Sequence, residues 1–124
     1  MIQKKILIAD DEKEALDIIA KKLREKNYKV SAVTDGKEAV DNCKADKPDL
    51  LLLDIAMPNM DGYTVASVLK GDSTLKDIPV IFLTGKELNR PGIERRMEEL
   101  GAYDYIIKPC AFEDILKKVK EAIG

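Results

Sequence analysis

The stretch Pro48–Gly62, PDLLLLDIAMPNMDG, decides the fold. Four consecutive leucines, Leu50–Leu53, run straight into Asp54. An apolar run without alternation is the pattern of a strand buried on both faces of a sheet. A charged carboxylate at the end of such a run is costly unless something there needs it. Ile55, Ala56 and Met57 continue the apolar character beyond Asp54, so this aspartate is hard to dismiss as the first residue of an exposed turn.

Four similar runs flank it: Lys5–Asp10, Tyr28–Val33, Ile78–Thr84 and Asp104–Lys108. Between them, Glu12–Lys26 places Ala15, Leu16, Ile19 and Leu23 on one helical face. Further helices are expected over Gly36–Cys43, Gly62–Lys70, Gly92–Leu100 and Phe112–Ile123, with Pro91 able to open the fourth and Gly101 placed to end it. Strands alternating with helices predict an α/β fold: one doubly wound, five-stranded parallel sheet with right-handed crossovers and five helices on its two faces. Such sheets bind ligands beyond the carboxyl ends of their strands.

The 124 residues suit a single domain spanning 1–124. With 21 basic against 23 acidic residues and a net charge of −2, the chain has no general attraction to nucleic acid or to an anionic membrane. Cys43 and Cys110 lie far apart, and the chain has no histidine, which argues against zinc or haem. Both cysteines read as small reduced apolar side chains of a cytosolic protein. The apolar run Ile6–Ala9 is too short for a signal-peptide core, and no other segment is suited to span a bilayer. A cytoplasmic location is expected.

Asp10 and Asp11 end the first run, Asp54 the third, Thr84 the fourth and Lys108–Pro109 the fifth. Each has a bland alternative. Asp11 before Glu12 suits a helix cap, Thr84 can close a strand, and Lys108 can snorkel at the surface. Together they say more. Three carboxylates at adjacent strand ends raise one another's pKa values unless a cation sits among them. All-oxygen ligands favour a hard cation, and Mg²⁺ suits a site that leaves room for a phosphate. With Lys108 as an anion partner and Thr84 as a hydroxyl donor, the set suggests phosphoryl transfer to Asp54.

The stretches ILIADDE, DLLLLDIAMPNMDG, PVIFLTG and GAYDYIIKP, in that order, resemble the receiver domain of two-component response regulators, including the chemotaxis-type receivers, from Lys4 to Ile123. The resemblance implies a flavodoxin-like topology and a phosphorylation-activated signalling switch rather than an enzyme acting on other substrates. Asp54 would accept a phosphoryl group from a histidine kinase or phosphotransfer protein. Asp11, Asp54 and the backbone carbonyl of Ala56 would bind Mg²⁺ directly, with Asp10 acting through a bound water. Lys108 would pair with the phosphoryl oxygens, and Thr84 would move inward to donate to one of them. Tyr105 matches the aromatic that changes rotamer with the threonine, and Gly85 the small residue beside it. The Lys108–Pro109 peptide is expected to be cis, turning the chain so that Lys108 points into the site. The output surface would be the fourth helix, fifth strand and fifth helix, where a partner or a second phosphorylated copy would dock.

Some positions depart from the commoner pattern of the family. Tyr103 and Cys110–Ala111 are unusual, and Gly85–Gly92 is slightly long and stiffened by Pro91. They lie near the signalling surface and bear on the partner. Three other classes are less favoured. A haloacid-dehalogenase-like phosphohydrolase needs two aspartates two positions apart, whereas Asp10 and Asp11 are adjacent. A flavodoxin-like carrier needs a Gly/Ser/Thr phosphate loop where this chain has ADDEKEA. A receiver fold that never accepts phosphate has no need of all five of Asp10, Asp11, Asp54, Thr84 and Lys108. The chain ends with the fifth helical pattern, so it either acts alone by docking to a partner or is one domain of a longer regulator; the former is favoured.

Overall fold

A computed structural model describes residues 2–85 and 90–124. The elements alternate strictly: β1 (Lys5–Ala9), α1 (Lys13–Glu25), β2 (Lys29–Val33), α2 (Gly36–Ala45), β3 (Leu50–Asp54), α3 (Gly62–Lys70), β4 (Val80–Gly85), α4 (Arg90–Leu100), β5 (Asp104–Lys108) and α5 (Phe112–Ile123). The strands form one parallel sheet in the order β2-β1-β3-β4-β5. All five carboxyl ends therefore open on one edge.

The leucine run explains the two layers. Leu51 and Leu53 pack with Leu7, Phe82 and Val65 on the face covered by α2, α3 and α4. Leu50 and Leu52 pack with Ile6, Ile8, Leu16 and Ile115 on the face covered by α1 and α5. All four leucines are fully buried, each contributing about 1.5–3 kcal/mol of transfer free energy. Asp54 follows them in register, opposite Leu83 of β4, and so is fixed at the sheet edge by the burial of its predecessors.

Element ends shift from the sequence expectation for identifiable reasons. β2 starts after Tyr28 because the Tyr28 N–H closes back onto the Leu23 carbonyl through Asn27, whose φ is 73°. β4 starts after Pro79 because the Ile78 N–H bonds the Leu75 carbonyl in the preceding turn. Helix α2 runs on to Ala45, and α4 begins at Arg90, with Pro91 in its first turn, where a missing N–H has no intrahelical partner to lose. Gly101 ends α4 with φ 66°, as its position suggested. The stretch Gly85–Gly92 lies partly outside the described residues, since 86–89 fall there. No helix among the described residues is long and apolar enough to cross a membrane.

Candidate functional site

Among the described residues, only three polar or charged side chains are buried: Asp10, Asp54 and Thr84. All three stand at the carboxyl edge of the sheet, where Asp10 follows β1, Asp54 ends β3 and Thr84 is the last residue but one of β4. Asp11, exposed beside Asp10, completes a group: one carboxylate oxygen from each of Asp10, Asp11 and Asp54 lies within 4.8 Å of the others. Asp11 does not cap α1, as its bland reading had it. Glu12 occupies the cap position without a side-chain cap, and its N–H donates to Asp10 Oδ1 at 3.0 Å.

Lys108 closes the site. Its Nζ donates to Asp10 Oδ2 at 3.0 Å and lies 3.7 Å from Asp54 Oδ2 and 3.6 Å from Glu12 Oε1. Lys108 pairs with Gly85 in the sheet register, one step beyond the Thr84–Ile107 pair, and the following Lys108–Pro109 peptide is cis. Burial opposes the lysine's charge, but the hydrogen bond and charge of Asp10, with Asp54 and Glu12 behind them, more than offset it and hold its pKa up.

One ammonium does not balance three carboxylates. Burial, foremost, pushes the Asp54 carboxyl up to about 7; Lys108 draws it down, while Asp10 and Asp11 push it up again. Like charges this close in a partly dry site repel strongly. The donor set is wholly oxygen and its charge is in excess, which fits a hard divalent cation and no soft one. The Ala56 carbonyl, just past Asp54 on an exposed residue, accepts no hydrogen bond among the described residues.

Thr84 is fully buried, yet among the described residues its hydroxyl makes only a long 3.4 Å bond to the Gly85 carbonyl. Such a donor is free to find a better acceptor. Tyr105 pairs with Phe82 in the register, packs partly against the α2–α3–α4 layer, and donates its hydroxyl to Glu94 of α4 at 3.1 Å. Cys43 is buried, and its thiol is pushed up to about 11 by that burial; Cys110 is half-buried, and both are free. Neither contributes to the carboxylate group.

Sequence reasoning missed three contributors. Glu12 is a third carboxylate beside Lys108, signalled only by a further acidic residue after Asp10 and Asp11. Glu94 holds Tyr105 and has no local signal. Gly62 permits the close approach that supports Asp54: a Cβ there would lie 2.4 Å from the Asp54 carbonyl oxygen. The Asp-Gly pair ending the opening stretch was its trace.

A profile of the response regulator receiver domain matches residues 6–120. The chain belongs to the response regulator receiver domain family. Response regulator MprA of Mycobacterium tuberculosis is 35% identical over 118 residues, 94% of this chain and 49% of that protein. Response regulator PleD of Caulobacter vibrioides is 39% identical over 105 residues, 85% of this chain and 23% of PleD. The receiver chain thus spans about half the length of one relative and about a quarter of the other. Among solved structures, the signal receiver domain of a signal transduction histidine kinase from Syntrophus aciditrophicus superposes with a TM-score of 0.86 at 38% identity, covering 97% of this chain and 89% of that one. Chemotaxis protein CheY4 of Vibrio cholerae shares the fold with a TM-score of 0.90, covering 98% of this chain and all of its own, at 24% identity.

Proposed function

We propose that this receiver is a phosphorylation-operated switch in which Asp54 accepts a phosphoryl group from a histidine kinase or phosphotransfer protein. One observation carries the reading: Asp54 is held at the sheet edge with its carboxyl pushed up to about 7, beside Lys108 and two further carboxylates. Nothing in the packing of the core requires such an arrangement.

In the proposed reaction a carboxylate oxygen of Asp54 forms the bond to phosphorus while the donor's bond to phosphorus breaks and its leaving group takes the electron pair. Asp11, Asp54 and the Ala56 carbonyl would hold Mg²⁺, with Asp10 supporting it through a water. When bound, Mg²⁺ would neutralise charge on the carboxylates and the incoming phosphoryl oxygens. Lys108, already 3.7 Å from Asp54, would exchange part of its bond to Asp10 for a phosphoryl oxygen. The Thr84 hydroxyl would leave its long bond to Gly85 and donate to a second oxygen. That shift would vacate space beside β5 for the Tyr105 ring, whose bond to Glu94 would break, changing the face made by α4, β5 and α5. An output partner or a second copy of the chain would read that face.

The receiver would catalyse only its own phosphorylation and dephosphorylation, and a cytoplasmic setting would supply its donor. Incubation with a small acyl phosphate and Mg²⁺, followed by intact-mass spectrometry, tests the reading. One phosphoryl group should appear, and it should be lost in a chelator and in Asp54→Ala. Undiminished incorporation in the variant would refute it.

A further inference from the structure

The chain leaves β3 at Asp54 and returns to it almost at once. The Gly62 N–H donates to the Ile55 carbonyl at 2.8 Å, and Gly62 lies against the Asp54 carbonyl. The loop between, residues 56–61, is thus a short excursion that begins and ends on the strand carrying Asp54. Its two ends are fixed by the sheet and by α3, where Asp61 accepts the Thr64 N–H at 2.8 Å.

The middle of the loop is held from a different element. Asn59 has a φ of 66°, a left-handed conformation that asparagine tolerates better than most residues. Its side-chain Nδ2 donates to Asp35 Oδ2 at 3.1 Å. The other oxygen of Asp35 accepts the Glu38 N–H at 2.8 Å and so caps α2. Next to it, Gly36 lies so close to the loop that a Cβ would meet the Met60 carbonyl oxygen at 1.9 Å and the Met60 Cβ at 2.9 Å. Met57 and Met60 pack partly into the α2–α3–α4 layer behind this contact. Helix capping needs only one oxygen of Asp35 and has no need of a glycine pressed on Met60. Both features act on the loop.

We infer that Asp35 and Gly36 are positioning residues for the metal site, holding the 56–61 loop, and with it the Ala56 carbonyl beside Asp54, in the arrangement that binds a divalent cation; this rests on the metal site proposed above. Among the described residues, neither shares a hydrogen bond with a proposed metal ligand. They limit how far the loop can move when the carboxylates repel one another, so the cost of gathering the ligands is met in folding and not at binding.

Asp35→Ser separates capping from positioning. Serine caps a helix about as well as aspartate, but with its one short hydroxyl engaged on Glu38 it leaves Asn59 without an acceptor. Mg²⁺ titration, followed by the amide resonances of Asp11 and Asp54, should give about tenfold weaker affinity, the low end of what loss of an outer-shell partner costs. The melting temperature measured alongside should be nearly unchanged. Gly36→Ala should weaken Mg²⁺ at least as much and lower the melting temperature as well. The exchanged pair Asp35→Asn with Asn59→Asp keeps the net charge and restores the bond with donor and acceptor reversed, so its affinity should return to within about twofold of wild type. Wild-type affinity in Asp35→Ser overturns the inference, as does an exchanged pair that binds as weakly as Asp35→Ser. If the wild-type chain itself binds no Mg²⁺, the metal site falls and this inference with it.

Discussion

Asp54→Asn should stabilise the metal-free protein, against the usual result of altering a buried charged side chain. The Asp54 carboxyl is raised from an ordinary 3.8 to about 7 in the fold, so the folded chain holds the proton more tightly than the unfolded chain. Its contribution to stability is therefore full below pH 4, declines as pH rises from about 4 to about 7, and is gone above that. About three pH units at 1.36 kcal/mol each set a ceiling of about 4 kcal/mol. Solvent at the open edge reduces this penalty of burial and like charge, leaving about 1–2 kcal/mol. For a domain of this size the gain amounts to about 4–8 °C in melting temperature. Thermal unfolding in a chelator at pH 8 should show this increase for Asp54→Asn, and at pH 5 the difference should shrink because the wild-type carboxyl is then protonated. Saturating Mg²⁺ at pH 8 should raise the wild type more than the variant. A loss of stability in Asp54→Asn at pH 8, or a gain indifferent to both pH and Mg²⁺, would refute the electrostatic account and favour a structural role for Asp54.

Other perturbations separate core, clamp and switch. Leu52 is fully buried under α1 and α5, so Leu52→Ala should cost about 2–5 kcal/mol by urea unfolding while leaving Mg²⁺ affinity nearly unchanged. The Arg96 guanidinium lies 4.8 Å from the Tyr63 ring, which meets Phe82 edge-on at 5.4 Å; Arg96→Ala should cost about 0.5–1 kcal/mol, and Arg96→Lys less. Thr84→Ala should still accept a phosphoryl group on Asp54 but lose the distant response. Chemical-shift mapping with a beryllofluoride mimic should then show perturbation around Asp54 without perturbation of Tyr105 and Glu94, and wild-type shifts at those two residues would end the proposed coupling.

Sheet architecture was readable because burial on both faces leaves a mark that no local propensity can hide. Leu50–Leu53, with no polar residue in the run, admit a strand packed on each side and little else. The carboxylate group was readable for a related reason: Asp10, Asp54 and Thr84 end apolar runs, and strand ends of a parallel sheet share one edge. What the sequence hid were contacts between elements distant along the chain. Glu94 meeting Tyr105 depends on where α4 lies over β5, and Asn59 meeting Asp35 depends on the path of a loop. Neither follows from a period of 2 or 3.6. The bland alternative for Asp11, a helix cap, fails because capping preference is local, whereas the buried Asp10 takes the Glu12 N–H through tertiary placement.

The central claim is that Asp54 alone carries the phosphoryl group. The most direct measurement is reductive trapping with borohydride after treatment with an acyl phosphate and Mg²⁺, which converts an aspartyl phosphate to homoserine and marks the residue. Peptide mapping should find homoserine at position 54 and nowhere else, and none after the same treatment in a chelator. Homoserine at Asp10 or Asp11, or an unmodified position 54 in a chain that has taken up phosphate, would contradict the account.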